Sequence, residues 1–151
     1  MMRTVVFLLA LLATAFQGSL FPDAASAADA PKDKDRVVVM YFHRTQRCPT
    51  CQKMGNYTEE AIKKGFAREI KEGKVDFHFI DFQDQKNAAF TKAYGIQGPT
   101  LLVAKASGNK VSEYQNLDEM WTKVRDKNDF IEYVQTSVKS YLKDKEKTAK
   151  R

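Results

Sequence analysis

Residues 36–51 read RVVVMYFHRTQRCPTC. Three consecutive valines followed by Met40, Tyr41 and Phe42 make a β-branched and aromatic run too short for a typical helix, which points to a strand buried on both faces from Arg36 to His43. Arg44 to Arg47 is a polar loop. Pro49 suits a first helical position, where a missing N–H costs nothing. Both cysteines of the chain, Cys48 and Cys51, therefore fall where a buried strand hands over to a helix.

That position carries chemistry. The first turn of a helix leaves N–H groups unpaired and carries the positive end of the dipole. A thiolate at Cys48 is stabilised there, and its pKa is expected below the free value of about 8.5. Arg44 and Arg47 add positive charge nearby. Cys51, one turn on, is placed to reach Cys48 and resolve a mixed disulfide. Two other chemistries use the same residues. A soft-metal carrier for copper or zinc would add His43 or Met54, although no second CxxC pair exists to complete a structural zinc site. An inert structural disulfide is the third, but so short a loop removes little chain entropy.

Outward from this stretch, the helical pattern runs to Lys71, with Ile62, Phe66 and Ile70 on one stripe and Gly73 as terminator. Gly55 to Thr58 interrupts it and predicts a kink, with Thr58 capping a second segment. Lys74 to Asp81 reads as a second strand, with Val75, Phe77 and Phe79 on one face. Asp84 to Tyr94 is a short helix closed by Gly95. Pro99 to Lys105 and Lys110 to Gln115 form a hairpin around Ser107-Gly108-Asn109. Leu117 to Val124 holds one or two helical turns. Asn128 is expected to cap a last helix with Phe130, Val134, Val138 and Tyr141 on its apolar face. Tyr57, Phe77, Phe79, Phe90 and Trp121 are expected in the core, and His78 to pack on its strand. The order is β-α-β-α-β-β-α, an α/β fold with a mixed four-stranded sheet and helices on both faces.

The 151 residues suit one domain, and the net charge of +6 gathers toward the C-terminus. Residues 143–151, KDKEKTAKR, carry five basic and two acidic side chains and read as a flexible basic tail. No aromatics interleave with arginine there, so nucleic acid is not an expected partner. At the other end, Arg3 is followed by the apolar run TVVFLLALLATAF, residues 4–16, and by Ala25-Ser26-Ala27. This is the pattern of a signal peptide spanning 1–27, whose apolar run, residues 4–16, is shorter than the roughly 20 residues needed to cross a bilayer. Residues 28–35 form a polar leader. The mature chain is expected to be exported, periplasmic or extracellular.

With these residues in place, the chain resembles the thioredoxin superfamily. The resemblance rests on the strand VVVMYF, on CPTC at the next helix start, on Tyr94-Gly95-Ile96-Gln97-Gly98-Pro99-Thr100-Leu101 about fifty residues later, and on the terminal hairpin and helix. It covers residues 36–142, the thioredoxin-like domain. The chain is most similar to small exported thioredoxin-like proteins with a YFH-loop-RC-x-T-C pattern, and more loosely to a nitrophenyl-compound reductase subunit.

The resemblance implies a thiol–disulfide oxidoreductase without a bound cofactor, working as a monomer on protein dithiols or disulfides. Cys48 attacks and Cys51 resolves. Gln97, Gly98 and Pro99, with Pro49 and Thr50, meet the partner chain, and Pro99 is implied to be cis. Electrons come from a redox partner, a membrane-bound donor being one form. An electron-transfer subunit of a larger reductase is the alternative. The chain also departs from the family. Arg47 stands where thioredoxins carry Trp, and neither Tyr41 nor Phe42 can serve as the family's buried acid. His43 is the candidate replacement as proton relay. The extra N-terminal strand and helix are missing, and the Pro49-Thr50 dipeptide leaves the direction of electron flow open.

Overall fold

The computed structural model describes residues 35–149. The signal peptide and nearly all of the leader lie outside the described residues. No described helix is long and apolar enough to cross a membrane.

Four strands form one sheet in the order β2-β1-β3-β4. They are β1 (Asp35–His43), β2 (Val75–Asp81), β3 (Thr100–Ser107) and β4 (Lys110–Asn116). β1 runs parallel to β2, with Val37 opposite Val75 and His43 opposite Asp81. It runs antiparallel to β3, with Phe42 opposite Thr100. β4 completes the hairpin with an irregularity at Lys105/Ala106. This is the mixed four-stranded α/β sheet, in the β-α-β-α-β-β-α order, that the residue pattern predicts.

The continuous apolar run of β1 follows from its central place. Val37, Val39 and Tyr41 enter one core with Leu101, Val103, Met54, Ile62, Phe130, Val134 and Val138. Val38, Met40 and Phe42 enter a second with Ile80, Leu102, Ala104 and Ile96. The first lies under α1 (Pro49–Gly65), α4 (Met120–Lys123) and α5 (Lys127–Ala149). Phe82 and Tyr94, on either side of the short α3 (Ala88–Ala93), pack against the second.

Several expectations need correction. α1 does not kink at Gly55 to Thr58; it runs unbroken to Gly65, bends at Phe66 and continues as α2 (Ala67–Lys71). The buried Thr58 hydroxyl donates to the Met54 carbonyl at 2.8 Å, satisfying itself inside the helix instead of capping one. Asp126, not Asn128, caps α5, its carboxylate accepting from the N–H groups of Asn128 and Asp129 at 2.8 and 3.0 Å. α5 continues to Ala149, so residues 143–149 extend the helix. Phe79, Phe90 and Trp121 are exposed rather than core, at 39%, 50% and 47%. β2 is an edge strand, α3 is short and α4 is a single turn, so none has a second layer to cover these side chains. Tyr57 and Phe77 pack against the first core as expected, half-buried. His78 is exposed on β2.

Candidate active site

β1 ends at His43, and residues 44–48 cross from the sheet to α1. The crossing is pinned at several points. The Thr45 N–H donates to Gln83 Oε1 at 3.2 Å, and its hydroxyl to Asp81 Oδ2 at 2.8 Å. Asp81 also accepts from the Gln83 N–H at 2.9 Å. These bonds, the backbone one first, hold the Asp81 carboxyl below its ordinary 3.8. The guanidinium of Arg44 lies over the Phe82 ring and that of Arg47 over the Phe79 ring, at 5.9 and 5.7 Å. Gln52 Nε2 donates to the Arg47 carbonyl.

Cys48 is the N-cap of α1, in extended conformation, and Pro49 opens the helix. The Cys51 N–H donates to Cys48 Sγ at 3.1 Å. The two sulfurs are bonded as a disulfide, with a Cα–Cα separation of 5.0 Å. Their exposures differ sharply: Cys48 is exposed, while Cys51 is 7% exposed and belongs to the first core. Pro49 and Thr50 are exposed beside Cys48.

Tyr41 lies beneath this turn, fully buried. Its hydroxyl donates to the Cys51 carbonyl at 2.8 Å. Burial pushes its pKa up to about 12, against a smaller opposing pull from Arg47. It therefore keeps its proton at neutral pH. Its ring meets Phe79 edge-on at 5.8 Å. Both rings pack on α1 where Gly55 lacks a side chain; a Cβ there would lie 3.0 Å from Phe79 and 3.1 Å from Tyr41.

His43 is half-buried, its Nδ1 2.9 Å from the Arg44 carbonyl, which can only accept, so Nδ1 carries a proton. This is a local strand-end hydrogen bond. Met54 is fully buried in the core. Among the described residues, no group of three His, Cys, Asp or Glu is arranged to hold a metal ion.

Gln97, Gly98 and Pro99 precede β3, whose Thr100 sits beside Phe42, at the sheet end from which the cysteine loop departs. Gln97 is exposed, and Gly98 and Pro99 are half-buried. Pro99 is not cis: no cis peptide bond occurs among the described residues. Trans is the intrinsically preferred isomer even before proline. The Thr100 hydroxyl donates to the Gly98 carbonyl at 2.9 Å, closing the segment locally in the trans form. Next to Gln97, a cavity of about 380 Å³ is walled by Phe82, Gln83, Thr91, Lys92 and Ile96.

The residue pattern alone does not single out Asp81, Thr45 and Gln83 as supports of the loop. The usable signal is the equal ending of two parallel strands, which brings Asp81 opposite His43.

No protein-family model matches the chain, and no curated protein matches it. Among solved structures, its backbone is similar to that of a malarial protein, with TM-score 0.41 and 16% identity over 67% of this chain and 96% of that one. It is similar to chloroplastic thioredoxin z, with TM-score 0.38 and 15% identity over 62% of this chain and 79% of that one. A thioredoxin from Thermus thermophilus gives TM-score 0.38 and 18% identity over 60% of this chain and 72% of that one. At this degree of likeness, the fold assignment stands on sheet order and register. The similarity to a nitrophenyl-compound reductase subunit finds no support in these comparisons.

Proposed function

We propose that the chain is a thiol–disulfide oxidoreductase whose redox couple is Cys48–Cys51. One observation carries the reading: an exposed and a buried cysteine, disulfide-bonded one turn apart, with the exposed sulfur at a helix N-cap. An N-terminal N–H and the helix dipole favour negative charge on that sulfur once the bond is reduced. Cys48 is the attacking thiolate because a partner can approach it. Cys51 resolves because it is sequestered and near enough to re-form the bond.

In the reducing direction, Cys48 Sγ bonds to one sulfur of a partner disulfide, and the other partner sulfur leaves as a thiolate. Cys51, having lost its proton to solvent, then attacks Cys48. The mixed disulfide breaks, two electrons have passed to the partner, and the Cys48–Cys51 bond is restored. The oxidising direction is the reverse. Gln97, Gly98 and Pro99, with Pro49 and Thr50, form the surface that meets the partner chain. His43, its Nε2 left for proton exchange, is the relay candidate. The reading also takes residues 1–27 as an export signal, so the substrates are proteins of an oxidising compartment. A carrier role within a larger reductase uses the same couple.

The test is the reduction potential of the pair, read by equilibration in glutathione buffers and alkylation. A value near about −120 to −180 mV assigns disulfide formation or shuffling, and one near about −270 mV assigns reduction. A chain that forms no reversible disulfide is not a dithiol oxidoreductase.

A further inference from the structure

We propose that Tyr41 is a positioning residue for the resolving cysteine, acting through the carbonyl of Cys51. The inference rests on the dithiol reading above.

The first turn of α1 has few bonds of its own beyond the Gln52 N–H donating to the Cys48 carbonyl at 2.9 Å. Pro49 has no N–H, and the remaining N–H groups of a first turn have no helical partner. In the disulfide form, the Cys48–Cys51 bond itself ties the turn together. That tie is lost on reduction, and again when Cys48 is engaged with a partner. Cys51 must nevertheless stay beneath Cys48 to attack it. A bond from β1 survives both events: the buried Tyr41 hydroxyl on the Cys51 carbonyl, at 2.8 Å. It depends on neither sulfur.

The donor is fixed as well as buried. Tyr41 lies in the central strand, between β2 and β3. Its ring is held by Phe79 and by the close approach of the Gly55 backbone. The Cys51 carbonyl is a helix carbonyl with a regular partner four residues on, so removal of the hydroxyl leaves no orphaned acceptor. The hydroxyl is therefore dispensable for the helix and specific in its target. It sets where the Cys51 main chain lies relative to the sheet, and through it the approach of the Cys51 sulfur to Cys48.

The two chemical steps separate the role. The reduced full chain is mixed with one equivalent of a symmetric aromatic disulfide whose thiolate absorbs visible light. Attack by Cys48 releases the first aromatic thiolate, and attack by Cys51 on the mixed disulfide releases the second. In Tyr41→Phe the first phase is expected to keep its rate. The second is expected to slow by about tenfold, the size of one hydrogen bond's effect. Phe79→Leu loosens the packing on the Tyr41 ring but keeps the hydroxyl, and is expected to slow the second phase by less than Tyr41→Phe does.

An unchanged second phase in Tyr41→Phe overturns the proposal. So does equal slowing of both phases, which marks a general loss of structure, or an equal effect of Phe79→Leu, which assigns the role to packing. A wild-type chain that releases no second equivalent overturns the dithiol reading itself, and the role of Tyr41 with it.

Discussion

Cys48 and Cys51 differ by three positions and by nearly everything else. One faces solvent at a helix cap, and the other enters the core. On the proposed reading, that difference divides the labour between them. Cys48→Ser is expected to abolish disulfide exchange. Cys51→Ser is expected to accumulate mixed disulfides with partners, visible as adducts on non-reducing gels; adducts formed instead by Cys48→Ser reverse the assignment. Tyr41 gives a second residue-scale expectation, in stability. Its folded pKa of about 12 exceeds the ordinary 10.0 because burial disfavours the phenolate. The unfolded chain thus ionises first as pH rises. Stability is complete below pH 10 and falls between pH 10 and about 12, by of order 2–3 kcal/mol. Thermal unfolding across this range should show the fall in wild type, with Tyr41→Phe losing that share of it.

α1 shows how an element can disobey its local pattern. Gly55 and Thr58 look like a breakpoint, yet the helix runs through both. Gly55 is there because two aromatic rings press on that turn, and Thr58 is tolerated because its hydroxyl returns to the Met54 carbonyl. Gly55→Ala therefore sets two effects against each other. Alanine favours a helix interior over glycine by about 1 kcal/mol. The new Cβ would lie 3.1 Å from a Tyr41 ring that is fully buried and tethered, and overpacking costs about 1–3 kcal/mol. The clash is expected to win, with a lower denaturant midpoint and an unchanged slope. A more stable Gly55→Ala would show that the ring yields.

At the scale of the molecule, two cores of unequal cover share one sheet. The first has α1, α4 and α5 above it; the second has the partly buried Phe82 and Tyr94 against it and ends in a groove bordered by the exposed Phe90. Truncations should divide accordingly. Phe130, fully buried between α5 and α1 and edge-on to Tyr57, should cost about 3–5 kcal/mol as Phe130→Ala in chemical unfolding. Phe90→Ala, at a half-exposed site, should cost far less. Equal losses would mean that the second face is better covered than its exposures indicate.

The residue pattern by itself settled the element order, the burial of β1 and the location of both cysteines. Each is a local matter: apolar period, proline at a helix start, glycine at Gly73 and Gly95, both at positive φ. Long-range contact settled the rest. Parallel pairing of β1 with β2 brought Asp81 to the cysteine loop, and edge position left Phe79 exposed. The reach of Tyr41 to the Cys51 carbonyl was set by packing between the central strand and α1. These features depend on residues far apart in the chain, whose proximity no local period encodes.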